Sequence, residues 1–195
     1  MSTLPKTFVT PEEYIERERK ADFKSEYYNG EVFAMSGGTR THDRINTQLE
    51  LLIEQHLAGK QCERFSDNMR VLAGLSGLYT YPDLSVVCEE PQFTDPPDET
   101  LANPTLLVEI LSPSTEAYDR GLKAKLYREI PSLKELLLIS QDRYDVELQR
   151  RSTDGTWIIL NASGLDASIE LPSICYTLNL RDLYAKVIAH GGIGA

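Results

Sequence analysis

Residues 105–115 read Thr105-Leu-Leu-Val-Glu-Ile-Leu-Ser-Pro-Ser-Thr115, and Asp119-Arg-Gly-Leu-Lys123 follows shortly after. A nearly continuous apolar run of this length is the pattern of a strand buried on both faces. Glu109 interrupts it, and an ionised carboxylate there is costly unless it is paired or bound to a cation. Ser112-Pro-Ser-Thr115 ends the strand, and a helix is predicted over Asp119–Glu129. On it Asp119, Lys123 and Tyr127 stand at i, i+4 and i+8, along one stripe. On an ordinary surface helix that stripe would be an ion pair worth a few tenths of a kcal/mol. One short loop after the Glu109 strand, it can instead fold back and turn Lys123 toward the carboxylate.

Working outward, Thr10-Pro-Glu-Glu13 is a capping box with proline at the first helical position, which predicts a helix over 11–20. Asn29-Gly30 between two strand-prone runs predicts a hairpin. Ser36-Gly-Gly-Thr39 breaks the chain. Ile45, Leu49, Leu52, His56 and Leu57 then mark one face of a helix over 41–58, closed by Gly59. Strands are expected at Met69–Ala73 and Leu84–Cys88, with a turn at Gly74–Gly77 between them. Residues 89–104 hold prolines and five acids without a base and read as a solvated excursion. Leu136–Ile139 is a further buried strand. Asp145–Arg150 pairs with Thr156–Leu160, Ser168–Leu171 is short, and Leu180–Ala189 is a last helix before a fraying tail. This order gives a mixed α/β class, with a central mixed sheet flanked by helices.

The chain has 195 residues, 41% hydrophobic and 26% charged, which excludes wholesale disorder. Size favours one domain over 1–195, with a core at about 8–188 and a short N-terminal arm. The longest uncharged stretch, Val71–Pro82, is too short to span a membrane. Met1–Lys6 has no apolar segment of the kind a secretory signal carries. Cys62, Cys88 and Cys175 are odd in number, well separated and without a CxxC pair. They read as small core hydrophobes in a reducing cytoplasm, with no disulfide or cysteine zinc site expected. Net charge is −10, most of it in the first hundred residues, where 18 acids face 10 bases. This counts against binding that relies on neutralising phosphates, though a bound cation can reverse the field inside a cleft.

Asp83 enters the Leu84–Cys88 strand directly after Pro82, as a turn residue or as a second site carboxylate. Two carboxylates and a lysine on adjacent elements suit metal-assisted phosphodiester hydrolysis. Carboxylate oxygens hold Mg²⁺, and a lysine stabilises charge developing on phosphorus.

Taken together, Glu26-Tyr-Tyr-Asn-Gly-Glu31, His42, Tyr81-Pro-Asp-Leu84, Leu107-Val-Glu-Ile-Leu-Ser-Pro-Ser-Thr115, Asp119-Arg-Gly-Leu-Lys123 and Tyr127 resemble the Uma2 family over residues 8–188. Uma2 proteins are classed as endonucleases of the restriction-endonuclease-like, PD-(D/E)xK fold. The resemblance implies Asp83 and Glu109 as catalytic metal ligands for Mg²⁺ or Mn²⁺. The motif lysine would stand two residues after Glu109, where this chain has Leu111, so the resemblance gives its role to Lys123 on the helix. Residues 130–136 match the family only loosely. It further implies nucleic acid as partner, DNA ahead of RNA, and a homodimer, while the cysteine usage and the short uncharged stretches point to a cytoplasmic protein with no membrane association.

Glu26 on the hairpin is a candidate third acid. His42 opens a helix, where it could touch a phosphate, orient Glu26 or serve the fold. Asp119 and Tyr127 complete the accessory set, and Tyr127 is the tyrosine to test as a platform for a base. Gly37-Gly38 lacks the Lys-Ser/Thr of a phosphate loop. The rival reading is a catalytically inactive nuclease-fold module that binds nucleic acid or a protein partner. Leu111 and the acidic charge favour it. A different hydrolase or a small-molecule binder using the same acidic cleft also stays open.

Overall fold

The structure is a computed structural model and describes residues 8–35, 37–74, 77–97 and 99–193. The expected N-terminal arm, the middle of the expected Gly74–Gly77 turn, Ser36 and the last two tail residues lie outside this set.

Helix α1 (Pro11–Glu18) starts from the expected capping box, with Thr10 and Glu13 each closing the other's backbone N–H. The hairpin β1 (Ser25–Tyr28) and β2 (Glu31–Ala34) turns at Asn29 and Gly30, both at positive φ, as a two-residue turn of this hand requires. Helix α2 (Arg40–Leu57) buries Ile45, Leu49, Ile53 and Leu57, a strict i+4 row, while Leu52 and His56 are only half-buried. Four strands follow: β3 (Glu63–Ser66), β4 (Arg70–Ala73), β5 (Leu78–Thr80) and β6 (Leu84–Val87). Next come β7 (Thr100–Leu101) and β8 (Leu106–Leu111), the latter buried at every position. The helical segment after β8 has three contiguous pieces: α3 (Glu116–Tyr118), a π-helical turn (Asp119–Lys123) and α4 (Ala124–Tyr127). It therefore starts earlier than expected and carries an i→i+5 bond from the Ala124 N–H to the Asp119 carbonyl.

Strands β9 (Glu135–Ser140), β10 (Asp145–Arg151), β11 (Trp157–Ser163) and β12 (Ser168–Leu171) complete the expected set. A short 3₁₀ turn then leads to β13 (Tyr176–Asn179), which pairs with β12 and was not foreseen. The last helix is split at Tyr184 into α5 (Leu180–Leu183) and α6 (Ala185–Ile188).

The expected mixed sheet has six strands in the order β11-β10-β9-β8-β6-β3, with β8 and β9 parallel across the 116–127 helical crossover. Beside it stands a second sheet, β2-β1-β5-β4-β7, which the order of elements in the sequence did not separate from the first. Side chains alternate between the two faces of a strand. On one face of the six-stranded sheet, Leu106, Val108, Ile110, Leu137 and Ile139 pack on the apolar row of α2 and on α5 and α6. On the other, Leu107, Leu111, Leu136 and Leu138 meet Val71, Ala73, Leu78 and Leu101 of the second sheet, with Ala124, Leu126 and Tyr127. Glu109 has the parity of Leu107 and Leu111, so it points into this second layer.

Two expectations are corrected. Cys62 and Cys88 form a disulfide, and Cys175 is exposed rather than core. The antiparallel pairing of β3 with β6 sets Glu63 against Val87, which brings the flanking cysteines face to face however far apart they stand in sequence. Residues 89–104 are also more than a solvated excursion. Thr100–Leu101 adds a parallel strand to β4. Asp95 is buried against Arg70, whose guanidinium also donates to the Thr100 and Tyr81 hydroxyls.

Candidate active site

Register brings the two principal carboxylates together. Leu84 pairs with Val108 in the antiparallel β6–β8 ladder, so Asp83, one residue before β6, falls opposite Glu109. Asp83 Oδ2 accepts the Ile110 N–H at 2.6 Å, and His42 Nε2 lies 3.1 Å from Asp83 Oδ1. His42 is placed by the first turn of α2, where the Thr39 hydroxyl caps its backbone N–H. It thus orients Asp83, not Glu26.

Lys123 is the centre of the arrangement. Its Nζ stands 2.9 Å from Glu109 Oε1, 2.9 Å from Glu26 Oε1 and 3.7 Å from Asp119 Oδ1. The π-helical turn delivers both Asp119 and Lys123 to the buried side; such turns recur at functional sites. One turn on, the Tyr127 hydroxyl donates to Glu109 Oε1 at 2.5 Å. Tyr127 is fully buried, so its expected use as a platform for a base is overturned and it serves instead to hold Glu109. Glu26 is fixed by a 2.5 Å bond from the Thr80 hydroxyl and by the Tyr118 hydroxyl. Thr80 and Tyr118 are partners that sequence reasoning missed, because strand pairing and the helical crossover bring them to Glu26 from distant positions.

Glu26, Asp83, Glu109, Asp119 and Lys123 all line one cavity of about 240 Å³, with His42 on its wall. Its electrostatics follow from four acids around one amine. Burial pushes the Glu109 carboxyl up to about 8 against the pull of Lys123, with Asp119 and Asp83 adding to the rise. Burial also outweighs Lys123 at Asp119, whose carboxyl is raised. At Glu26 burial is outweighed by Lys123 and the hydroxyl donors, and the carboxyl is held below its usual range. Burial would lower the Lys123 ammonium, but Glu109, Tyr127 and the other acids raise it well above the ordinary lysine value. His42 is raised too, the hydrogen bond and charge of Asp83 overcoming burial.

The donor set fits a hard divalent cation. All the site's acids are oxygen donors, their formal charge exceeds that of Lys123, and Asp83, just before β6, falls opposite Glu109 on β8. Among the described residues no three His, Cys, Asp or Glu side chains form a ready cage. Mg²⁺ typically takes one or two carboxylates and keeps waters or phosphate oxygens for the rest.

Residues 11–181 match the family Uma2, described as "Putative restriction endonuclease". The chain belongs to the Uma2 family. Two uncharacterized Synechocystis proteins are similar to this Uma2 chain. The protein slr1290 is 39% identical over 170 residues, 85% of this chain and 86% of its own. The protein sll1609 is 38% identical over 162 residues, 83% and 92%. A crystal structure described as "a putative nuclease belonging to DUF820" from Anabaena variabilis superimposes with a TM-score of 0.73 over 91% of this chain and 98% of its own. At 19% identity it shares the fold, the restriction-endonuclease-like mixed α/β class expected from the sequence. No helix among the described residues is long and apolar enough to cross a membrane.

Proposed function

We propose that this Uma2 chain is a metal-dependent endonuclease that hydrolyses phosphodiester bonds, with DNA as substrate ahead of RNA. The observation that carries the reading is the position of Lys123, whose amine touches Glu109 and Glu26 in the cavity that Asp83 also lines. The family's description supports the reaction class and the choice of DNA.

Asp83 and Glu109 would hold Mg²⁺ or Mn²⁺. What such a cation supplies when bound is Lewis-acid charge on a phosphoryl oxygen and a lowered water pKa. The chain's own groups do the rest. Lys123 stays protonated between Glu109 and Glu26, and its ammonium sets a positive charge where negative charge develops on the phosphoryl group. His42 and the Ile110 N–H hold the two Asp83 oxygens, fixing the carboxylate in one orientation. Tyr127 does the same for Glu109. Glu26 and Asp119 hold Lys123 in place between them. The test is hydrolysis of DNA with Mg²⁺ or Mn²⁺, lost in Asp83→Asn.

A second reading has one specific observation in its favour. Leu111, where the family's motif lysine is expected, is buried in the apolar layer between the sheets. On that reading the chain is an inactive nuclease-fold module, and its binding to a partner survives Asp83→Asn.

A further inference from the structure

The acids and amine of the site are recessed. Glu109 is 6% exposed and Lys123 4%, and both line the cavity. Among the aromatic residues of the wall one stands out in the opposite sense. Phe33, on edge strand β2, is 48% exposed and lines the same cavity. Register explains its place. Glu26 pairs with Phe33 across the β1–β2 hairpin, and cross-strand partners project on the same face a few ångströms apart. The strand geometry that sends Glu26 to Lys123 therefore sets an uncovered aromatic ring directly beside it. Phe8 and Phe23 are also exposed, but neither borders this cavity.

The polar surroundings point the same way. A protein that holds duplex DNA by its phosphates presents a row of free cations. Among the described residues, the lysines lining this cavity and the adjoining 390 Å³ cavity, which shares His42 and Asp83, are Lys123 and Lys24. Lys123 is surrounded by acids, and Lys24 is bonded to Asp67. Affinity without a phosphate-binding row can come from base stacking, which needs a base free of its duplex neighbours.

From these features we propose that the site takes a single strand of DNA, and that Phe33 stacks on the base next to the phosphate presented to Lys123. This deepens the nuclease reading and rests on it. A recessed centre admits one strand where a paired helix is held at the rim. The ring beside Glu26 supplies the contact that the acidic surface cannot.

The test is binding, separate from cleavage. Fluorescence anisotropy of a fluorescein-labelled single strand, and of the same sequence as a duplex, is measured with Ca²⁺ replacing Mg²⁺. The proteins are wild type, Phe33→Ala, Phe33→Leu and Phe33→Trp. Phe33 is half in solvent, so its replacement should leave the melting temperature near that of wild type, which is checked alongside. Wild type should bind the single strand about tenfold more tightly than the duplex. Phe33→Ala and Phe33→Leu should each lose about tenfold, and Phe33→Trp should restore the affinity. Equal affinity for duplex and single strand, or unchanged binding by Phe33→Ala, overturns the inference and leaves the nuclease reading standing. Binding of neither DNA by wild type overturns both.

Discussion

Lys123 Nζ lies 2.9 Å from Glu109 Oε1, an ion pair between a helical crossover and the strand that precedes it. The family pattern would place this amine on the strand itself, two residues beyond Glu109. Leu111 occupies that position and is buried in the same apolar layer as Ala124 and Tyr127 of the crossover. In the proposed site the amine therefore comes from the helix that covers the strand, where the π-helical turn carries Lys123 to the buried side.

Lys123 and Lys125 offer a matched comparison on one helical segment. Lys123 is buried among the Glu26, Glu109 and Asp119 carboxylates and Lys125 is exposed. Lys123→Ala is expected to lower the rate of DNA cleavage by about 10²–10³, as for loss of one donor to developing negative charge. Lys125→Ala is expected to cut at the wild-type rate. Single-turnover cleavage of one substrate by both variants measures the difference. Equal rates in the two would contradict the role given to Lys123.

Metal binding should appear as stability. A cation bound by the folded state alone stabilises it by mass action, by about 2.7 kcal/mol at a hundredfold excess over its dissociation constant, and so raises the melting temperature. Thermal melts with and without Mn²⁺ are expected to shift for wild type and to shift far less for Glu109→Gln, which loses one of the two proposed ligands. An equal shift in both proteins would place the ion elsewhere.

Much of this site is written locally. The apolar run around Glu109, the Pro82-Asp83 strand entry and the Asp119–Lys123–Tyr127 stripe each carry their signal within a few residues, and all reach one cavity. What the sequence hides depends on pairing between distant strands. Nothing near Cys62 or Cys88 announces that β3 lies beside β6. Tyr127 looks like any sheet-forming tyrosine until the crossover is seen to bury it. Asp95 sits in an acidic, proline-rich stretch that reads as solvent-facing, and only the β4–β7 pairing brings it to Arg70.

That last pair carries a stability prediction. Arg70 is nearly fully buried and bonded to Asp95, Thr100 and Tyr81. Removing one partner of a buried ion pair leaves the other charge without compensation and costs about 3–5 kcal/mol. Arg70→Met is expected to lower the melting temperature by roughly 6 °C or more for a chain of this size. Arg64, paired with Glu50 and the exposed Glu54 at the surface, is the control. Its change to Met should shift the melt by no more than about 4 °C, since surface pairs contribute about 0–1 kcal/mol. Similar shifts for the two would mean that the 89–104 segment is not anchored through Arg70.

The most direct measurement is cleavage of circular DNA, single-stranded and duplex, by wild type and by Asp83→Asn, with Mg²⁺ or Mn²⁺ and with the metal chelated. Asp83 is partly exposed and sits before its strand, so the substitution leaves the core untouched. Metal-dependent cutting by wild type, reduced at least about 10²-fold in Asp83→Asn, is the expected result. Wild type that cuts neither DNA with either metal, or Asp83→Asn that cuts as fast as wild type, would contradict the assignment of this site as a metal-dependent nuclease centre.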